Sequence, residues 1–232
     1  MGARRVGGLT LEGGVARAAS VVPGSIGIMG GTFDPIHLGH LAAAEETREV
    51  LGLERIVFVP AGLPPHKPDA PAAAAVHRVA MAELAIAGNP AFEVSRVDVD
   101  RAGPSYTIDT VELLAAAERA AGRVPDLTFI LSVETLRELP TWHEPVRLLD
   151  ACRLAVVPRE GYPAPGRDWL AEHFPGREDR VVSVGGARLE VSSTIIRERI
   201  ARGRSIRYLV PPPVGTYIAD HGLYRDRAWP PN

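Results

Sequence analysis

The feature that most constrains this chain is a glycine turn with a strand-like segment before it and a helix-like segment after it. Ile26-Gly27-Ile28-Met29 reads as a short strand buried on both faces. Gly30-Gly31-Thr32-Phe33-Asp34-Pro35-Ile36-His37-Leu38-Gly39-His40 comes next, and Leu41 to Leu51 reads as a helix. Strand, glycine turn and helix together present backbone N–H groups and the positive end of a helix dipole to an anion. His37 and His40, three apart at the helix entrance, fall on one face. The arrangement predicts a phosphate grip whose side chains donate hydrogen bonds to developing negative charge. Turn chemistry alone would explain a Gly-Gly pair. A metal pair would explain His-x-x-His, but no Cys or Glu sits at helical spacing to complete a ligand set.

Composition narrows the class. With 232 residues, 46% hydrophobic and 23% charged, the chain is long enough for one good core. Its net charge of −2 carries no basic excess, so a nucleic-acid partner is not expected. A single cysteine, Cys152, excludes an intrachain disulfide and fits a reducing, cytoplasmic compartment. No apolar run approaches the roughly 20 residues that span a bilayer, so no membrane is expected. In residues 1–24, Arg4-Arg5 hints at an export signal. Glu12, Arg17 and Gly-Gly pairs interrupt any apolar core, so this stretch is expected to be a disordered leader. Residues 25–225 then form one domain with a small C-terminal helical part, and 226–232 a tail.

The rest of the chain alternates strand and helix. Arg55 to Pro60 is a second buried strand ended by proline. A proline-rich loop, Ala61 to Pro68, places His66 and Lys67 beyond its carboxyl end, the edge that faces ligands in open α/β sheets. Ala72 to Ala87 has an apolar helical face, and Arg78 within it reads as a snorkelling surface arginine. Phe92 to Asp100 alternates apolar and polar, as a half-exposed strand does. A helix runs from Tyr106 to about Ala121 and is closed by Gly122. Leu127–Leu131, Arg153–Pro158 and Arg180–Val184 supply further strands. Ser192, Ser193 and Thr194 cap a helix that begins near Ile195. A last helix starts at Pro211-Pro212-Pro213 and ends at Gly222. The expected fold is α/β, a Rossmann-like doubly wound parallel sheet with helices on both faces.

Several motifs in order resemble the bacterial nicotinate-nucleotide adenylyltransferases of the HxGH nucleotidyltransferase superfamily. They are the glycine-histidine stretch above, Val59 to Lys67, Gly103 to Thr110, Leu139-Pro140-Thr141-Trp142, and Val191 to Arg197. The first and last mark the superfamily, and the middle three the nicotinate branch. The resemblance implies transfer of the adenylyl group of ATP to nicotinate mononucleotide, with Mg²⁺ carried by ATP. It implies that Gly30, Gly31, Thr32 and Phe33 form the turn on which ATP lies. His37 and His40 would contact its phosphates, and Ser193, Thr194 and Arg197 the β,γ-phosphates. Asp34 and Lys67 would position the mononucleotide's phosphate or order the loops around it. Tyr106 and Thr107 would face the nicotinate carboxylate, and Trp142 would stack on the pyridine ring.

One stretch departs from the family pattern. Where the family usually has Gly-Ala-Asp, with its aspartate on the adenosine ribose, this chain has Ser132-Val133-Glu134. Glu134 keeps the acceptor oxygens. Ser132 and Val133 add bulk where adenine would approach the backbone, so a shifted or loosened ATP site and an outward loop both stay open. The alternatives in function are the same chemistry on nicotinamide mononucleotide, and a nucleotide-binding module with little catalysis. A homo-oligomer is compatible with the sequence.

Overall fold

Period-two alternation in the strands divides the interior into two layers, because successive side chains point to opposite sheet faces. Ile26, Ile28, Val57, Val59, Leu127, Phe129, Leu131, Leu154 and Val156 pack into one apolar cluster. Met29, Ile56, Phe58, Ile130 and Ala155, their neighbours in the same strands, pack into the other. A sheet apolar on both faces needs cover on both, and parallel strands need helical crossovers.

The computed structural model describes residues 19–65, 72–158, 161, 163–185 and 189–225. Its strands are β1 (Val22–Gly31), β2 (Leu53–Pro60), β3 (Phe92–Val94), β4 (Asp126–Ser132), β5 (Arg153–Val157) and β6 (Val181–Ser183). They pair parallel in one six-stranded sheet of order β3-β2-β1-β4-β5-β6. Helices α1 (Leu38–Leu51), α2 (Ala75–Ile86), α7 (Ser193–Ala201) and α8 (Pro212–Asp220) contribute to the Met29 layer. Helices α3 (Thr107–Ala120), α4 (Val133–Glu138), α5 (Pro145–Ala151) and α6 (Arg167–His173) contribute to the Ile28 layer. The expected doubly wound α/β fold is present. The strand order reverses between β1 and β4, so a crevice opens beyond their carboxyl ends, where such sheets bind ligands.

Two expectations are corrected. The alternating run Phe92 to Asp100 is strand only as far as Val94. Ser95 still donates to the carbonyl of Phe58, but Val99 and Asp100 both donate to the carbonyl of Arg96 in a tight turn. Asp98, an apparent solvent-facing position, is instead buried and accepts from the Thr110 hydroxyl at 2.8 Å and from Arg101 Nε at 3.1 Å. Arg78 does not snorkel. It is 1% exposed, on the inner face of α2.

Candidate active site

The glycine turn leaves β1 at Gly31 and enters α1 at Leu38, with His37 as the residue before the helix in extended conformation. Phe33 holds a left-handed backbone, φ 50°, which costs energy in a residue with a Cβ. Packing compensates: its buried ring meets His40 edge-on at 5.1 Å and Phe58 at 5.9 Å. The imidazoles of His37 and His40 stack, centroids 3.6 Å apart and planes 21° from parallel. The His37 N–H donates to His40 Nδ1 at 3.2 Å. A ring nitrogen that accepts carries no proton, so the His40 proton resides on Nε2 and the ring can donate from there. Gly39 makes room for this pair, since a Cβ there would sit 3.1 Å from the His37 ring.

Helix α7 closes the site from the far end of the sequence. Ser192 caps it by accepting from the N–H of Ile195 at 3.2 Å. Ser193 Oγ donates to the carbonyl of Pro35 at 2.8 Å, and Arg197 Nη1 to the carbonyl of Asp34 at 2.7 Å. Arg197 Nη2 also reaches Thr194 Oγ1 at 3.3 Å. The structure therefore brings Thr32, Phe33, Asp34, His37, His40, Ser193, Thr194 and Arg197 together at one corner of the crevice. Two positive helix ends and the Arg197 guanidinium meet there.

Asp34 faces inward. It is 5% exposed, and its carboxylate accepts from the N–H groups of Ala72 and Ala73 at 2.7 and 3.1 Å and from the Tyr224 hydroxyl at 2.8 Å. Burial, and then the adjoining Asp34 charge, hold the Tyr224 phenol well above its ordinary range. These contacts join the turn that carries Asp34 to the segment before α2 and to Tyr224. Lys67 lies outside the described residues.

A second wall rises from α3 and the turn after α4. Tyr106 and Thr107, both half-buried, open α3, and the Tyr106 ring stacks on His143 at 4.2 Å. Trp142 is half-buried and packs edge-on against Phe129 of β4 at 6.3 Å. Ser105 binds this wall to the loop after β2: its hydroxyl accepts from the N–H groups of Gly62 and Leu63 at 2.9 and 3.3 Å. Only glycine fits at position 62, where a Cβ would lie 2.2 Å from the backbone carbonyl of Asp98.

Ser132-Val133-Glu134 lies at the carboxyl end of β4. Ser132 accepts from the N–H of Thr135 at 3.2 Å and so caps α4. Val133 is 2% exposed and packs in the core, so its bulk turns away from the crevice. Glu134, in the first turn of α4, is half-buried.

Three contributors are invisible as site residues in the sequence. Arg78 donates through Nη1, Nε and Nη2 to the carbonyls of Thr32, Ala73 and Gly62 at 2.7, 3.2 and 3.4 Å. Taking a cation out of water costs several kcal/mol unless it is paired and fully bonded. Burial pulls this guanidinium down from the usual arginine range, and the Asp34 charge opposes that pull. Tyr224 lies near the end of the expected domain, and Ser105 within the Gly103 to Thr110 motif, with no role attached to either. A single sequence holds no signal that pairs such distant positions.

Among the described residues, no helix is long and apolar enough to cross a membrane.

Comparison with known proteins places these features in a lineage. The cytidylyltransferase-like family model matches residues 28–199. A probable nicotinate-nucleotide adenylyltransferase of Roseiflexus sp. (strain RS-1) is 48% identical over 86% of this chain and 98% of its own length. One of the same description from Thermomicrobium roseum is 46% identical over 86% of this chain and 91% of its own. The solved structure of Plasmodium falciparum nicotinic acid mononucleotide adenylyltransferase complexed with NaAD shares the fold. Its TM-score is 0.69 at 17% identity, over 88% of this chain and 98% of that one.

Proposed function

Because the chain belongs to the cytidylyltransferase-like family and, within it, to the nicotinate-nucleotide adenylyltransferases, we propose that it transfers the adenylyl group of ATP to nicotinate mononucleotide in NAD biosynthesis. The 5′-phosphate of the mononucleotide attacks the α-phosphorus of ATP in line. A new P–O bond forms to the α-phosphorus, and the bond between it and the β-phosphate oxygen breaks. Pyrophosphate leaves and deamido-NAD remains. A phosphate monoester is already ionised near neutral pH, so no general base is needed. The protein's task is positioning and charge neutralisation.

The observation that carries this reading is the joint between two distant helix N-termini: the stacked His37–His40 pair opens α1, and Ser193 and Arg197 bind α7 to the loop that precedes α1. His37 and His40 serve the α- and β-phosphates, and His40 Nε2–H suits a donor to a developing negative oxygen. Ser193, Thr194 and Arg197 serve the departing pyrophosphate. Gly30, Gly31, Thr32 and Phe33 seat ATP, and Glu134 accepts from the ribose hydroxyls. On the second wall, Tyr106 and Thr107 serve the nicotinate carboxylate and Trp142 the ring face. Asp34 and Lys67 serve the mononucleotide side, Asp34 through the loop it orders.

Mg²⁺ enters as part of the substrate, on the ATP phosphates. This agrees with a donor set of imidazoles, hydroxyls and a guanidinium. Among the described residues, no group of three His, Cys, Asp or Glu converges to form a protein cage for it.

The test is pyrophosphate release on mixing the protein with ATP, Mg²⁺ and nicotinate mononucleotide, run beside nicotinamide mononucleotide. The nicotinate substrate is expected to turn over with the higher kcat/KM. Preference for the amide would reassign the substrate, and binding without release would leave a nucleotide-binding module.

A further inference from the structure

Among the described residues, the most deeply buried charged side chain belongs to Arg78, and neither wall of the crevice includes it. Each of its three bonds ends on a backbone carbonyl, and two of the three lie on different loops. Thr32 belongs to the glycine turn after β1 and Gly62 to the loop after β2, while Ala73 lies just before α2. Asp34 completes the cluster from the other side, by binding the Ala72 and Ala73 N–H groups and the Tyr224 hydroxyl. The two loops also meet directly, where the N–H of Ala61 donates to the carbonyl of Gly31 at 2.8 Å.

We propose that Arg78, with Asp34 and Tyr224, is a positioning device that sets the spacing between the glycine turn and the loop after β2, and thereby between the two substrates. This rests on the adenylyl-transfer reading of the site. One loop seats ATP. The other, through Gly62, Leu63 and Ser105, is joined to the first residues of α3 on the mononucleotide side. In-line displacement depends on the distance and angle between the reacting atoms, and small misplacement far from the chemistry lowers turnover steeply. An apolar side chain could fill the volume of Arg78 without holding any loop. A guanidinium is needed because its planar fork spreads donors over carbonyls that point in from different directions. Lysine presents its donors from a single nitrogen.

The cluster touches no reacting atom, so its signature is a fall in kcat per folded molecule with little change in either KM. In Arg78→Lys we expect kcat per folded molecule to drop about 10- to 100-fold, with each KM within about three-fold of wild type. Arg78→Met should be worse than Arg78→Lys. A fall only in the folded fraction, with wild-type kcat per folded molecule, would reduce Arg78 to packing and overturn the proposal. Amide exchange gives a readout independent of the reaction, which matters should the wild-type protein form no dinucleotide. Gly62, Ala72 and Ala73 should lose protection in Arg78→Lys while the centre of α3 keeps it, and unchanged protection would overturn the proposal. If Arg78→Lys does not fold, Tyr224→Phe takes its place. Faster exchange at Ala72 and Ala73 with a lower kcat is expected, and wild-type values of both would overturn it.

Discussion

Arg197 Nη1 donates to the carbonyl of Asp34 at 2.7 Å, joining residues 163 positions apart. The bond makes the helix assigned to the leaving pyrophosphate part of the same rigid unit as the loop that leads into His37. A planar fork suits this double duty, since Nη2 also reaches Thr194. Arg197→Lys keeps the charge but loses the fork, so kcat/KM for ATP should fall by about ten-fold or more. Steady-state kinetics with ATP varied would check this, and an unchanged value would remove Arg197 from the phosphate site.

His40 is held by the His37 N–H with its proton on Nε2, which makes it a preorganised donor. Deleting one such donor costs on the order of 100- to 1,000-fold in kcat, and His40→Ala should fall in that range. Near-normal turnover would end its proposed role.

Trp142 leans edge-on against Phe129, and part of its surface stays open. Trp142→Ala should raise KM for nicotinate mononucleotide by about ten-fold while KM for ATP stays nearly constant, because ring stacking is a binding interaction. An unchanged KM for the mononucleotide would argue that Trp142 is a core residue only.

Ser132 spends its hydroxyl on the cap of α4. Ser132→Ala should cost about 1 kcal/mol of stability, or roughly 2–4 °C in melting temperature for a chain of this size. KM for ATP should hardly move. A large rise in that KM with no thermal shift would place the hydroxyl on the nucleotide instead.

Alkaline pH should destabilise the fold. Burial pushes the Cys152 thiol up from 9.0 to about 12 and raises the Tyr224 phenol from its ordinary 10.0. Both groups stay neutral when folded at pH values where the unfolded chain ionises them. Their contribution is complete below pH 9.0 and is lost as pH rises through the folded-state values. Denaturant midpoints measured from pH 8 upward should fall progressively above that point. A flat profile to about pH 11 would contradict the burial of both groups. The same burial predicts that Cys152 resists alkylation in the native protein at pH 8 and reacts once unfolded.

What the sequence determined by itself is what local chemistry governs. The glycine turn between β1 and α1, the alternation that splits the sheet into two layers, the Ser192 cap and the glycine-closed helices all rest on contacts within a few residues. The period-two signal misled at Phe92 to Asp100, where Asp98 sits at a polar position for a reason unrelated to solvent: Thr110 and Arg101 bind it inside. The short helices α4, α5 and α6 were not legible, since helices of one or two turns depend on packing rather than propensity. Only the tertiary structure decided that Arg78 is buried, that Tyr224 belongs to the Asp34 cluster, and that the bulk of Val133 turns into the core. The physical reason is shared by all three. A buried polar or bulky group finds its place through partners that the fold brings near, and local sequence does not announce them: Thr32 lies 46 residues from Arg78, and Asp34 lies 190 from Tyr224.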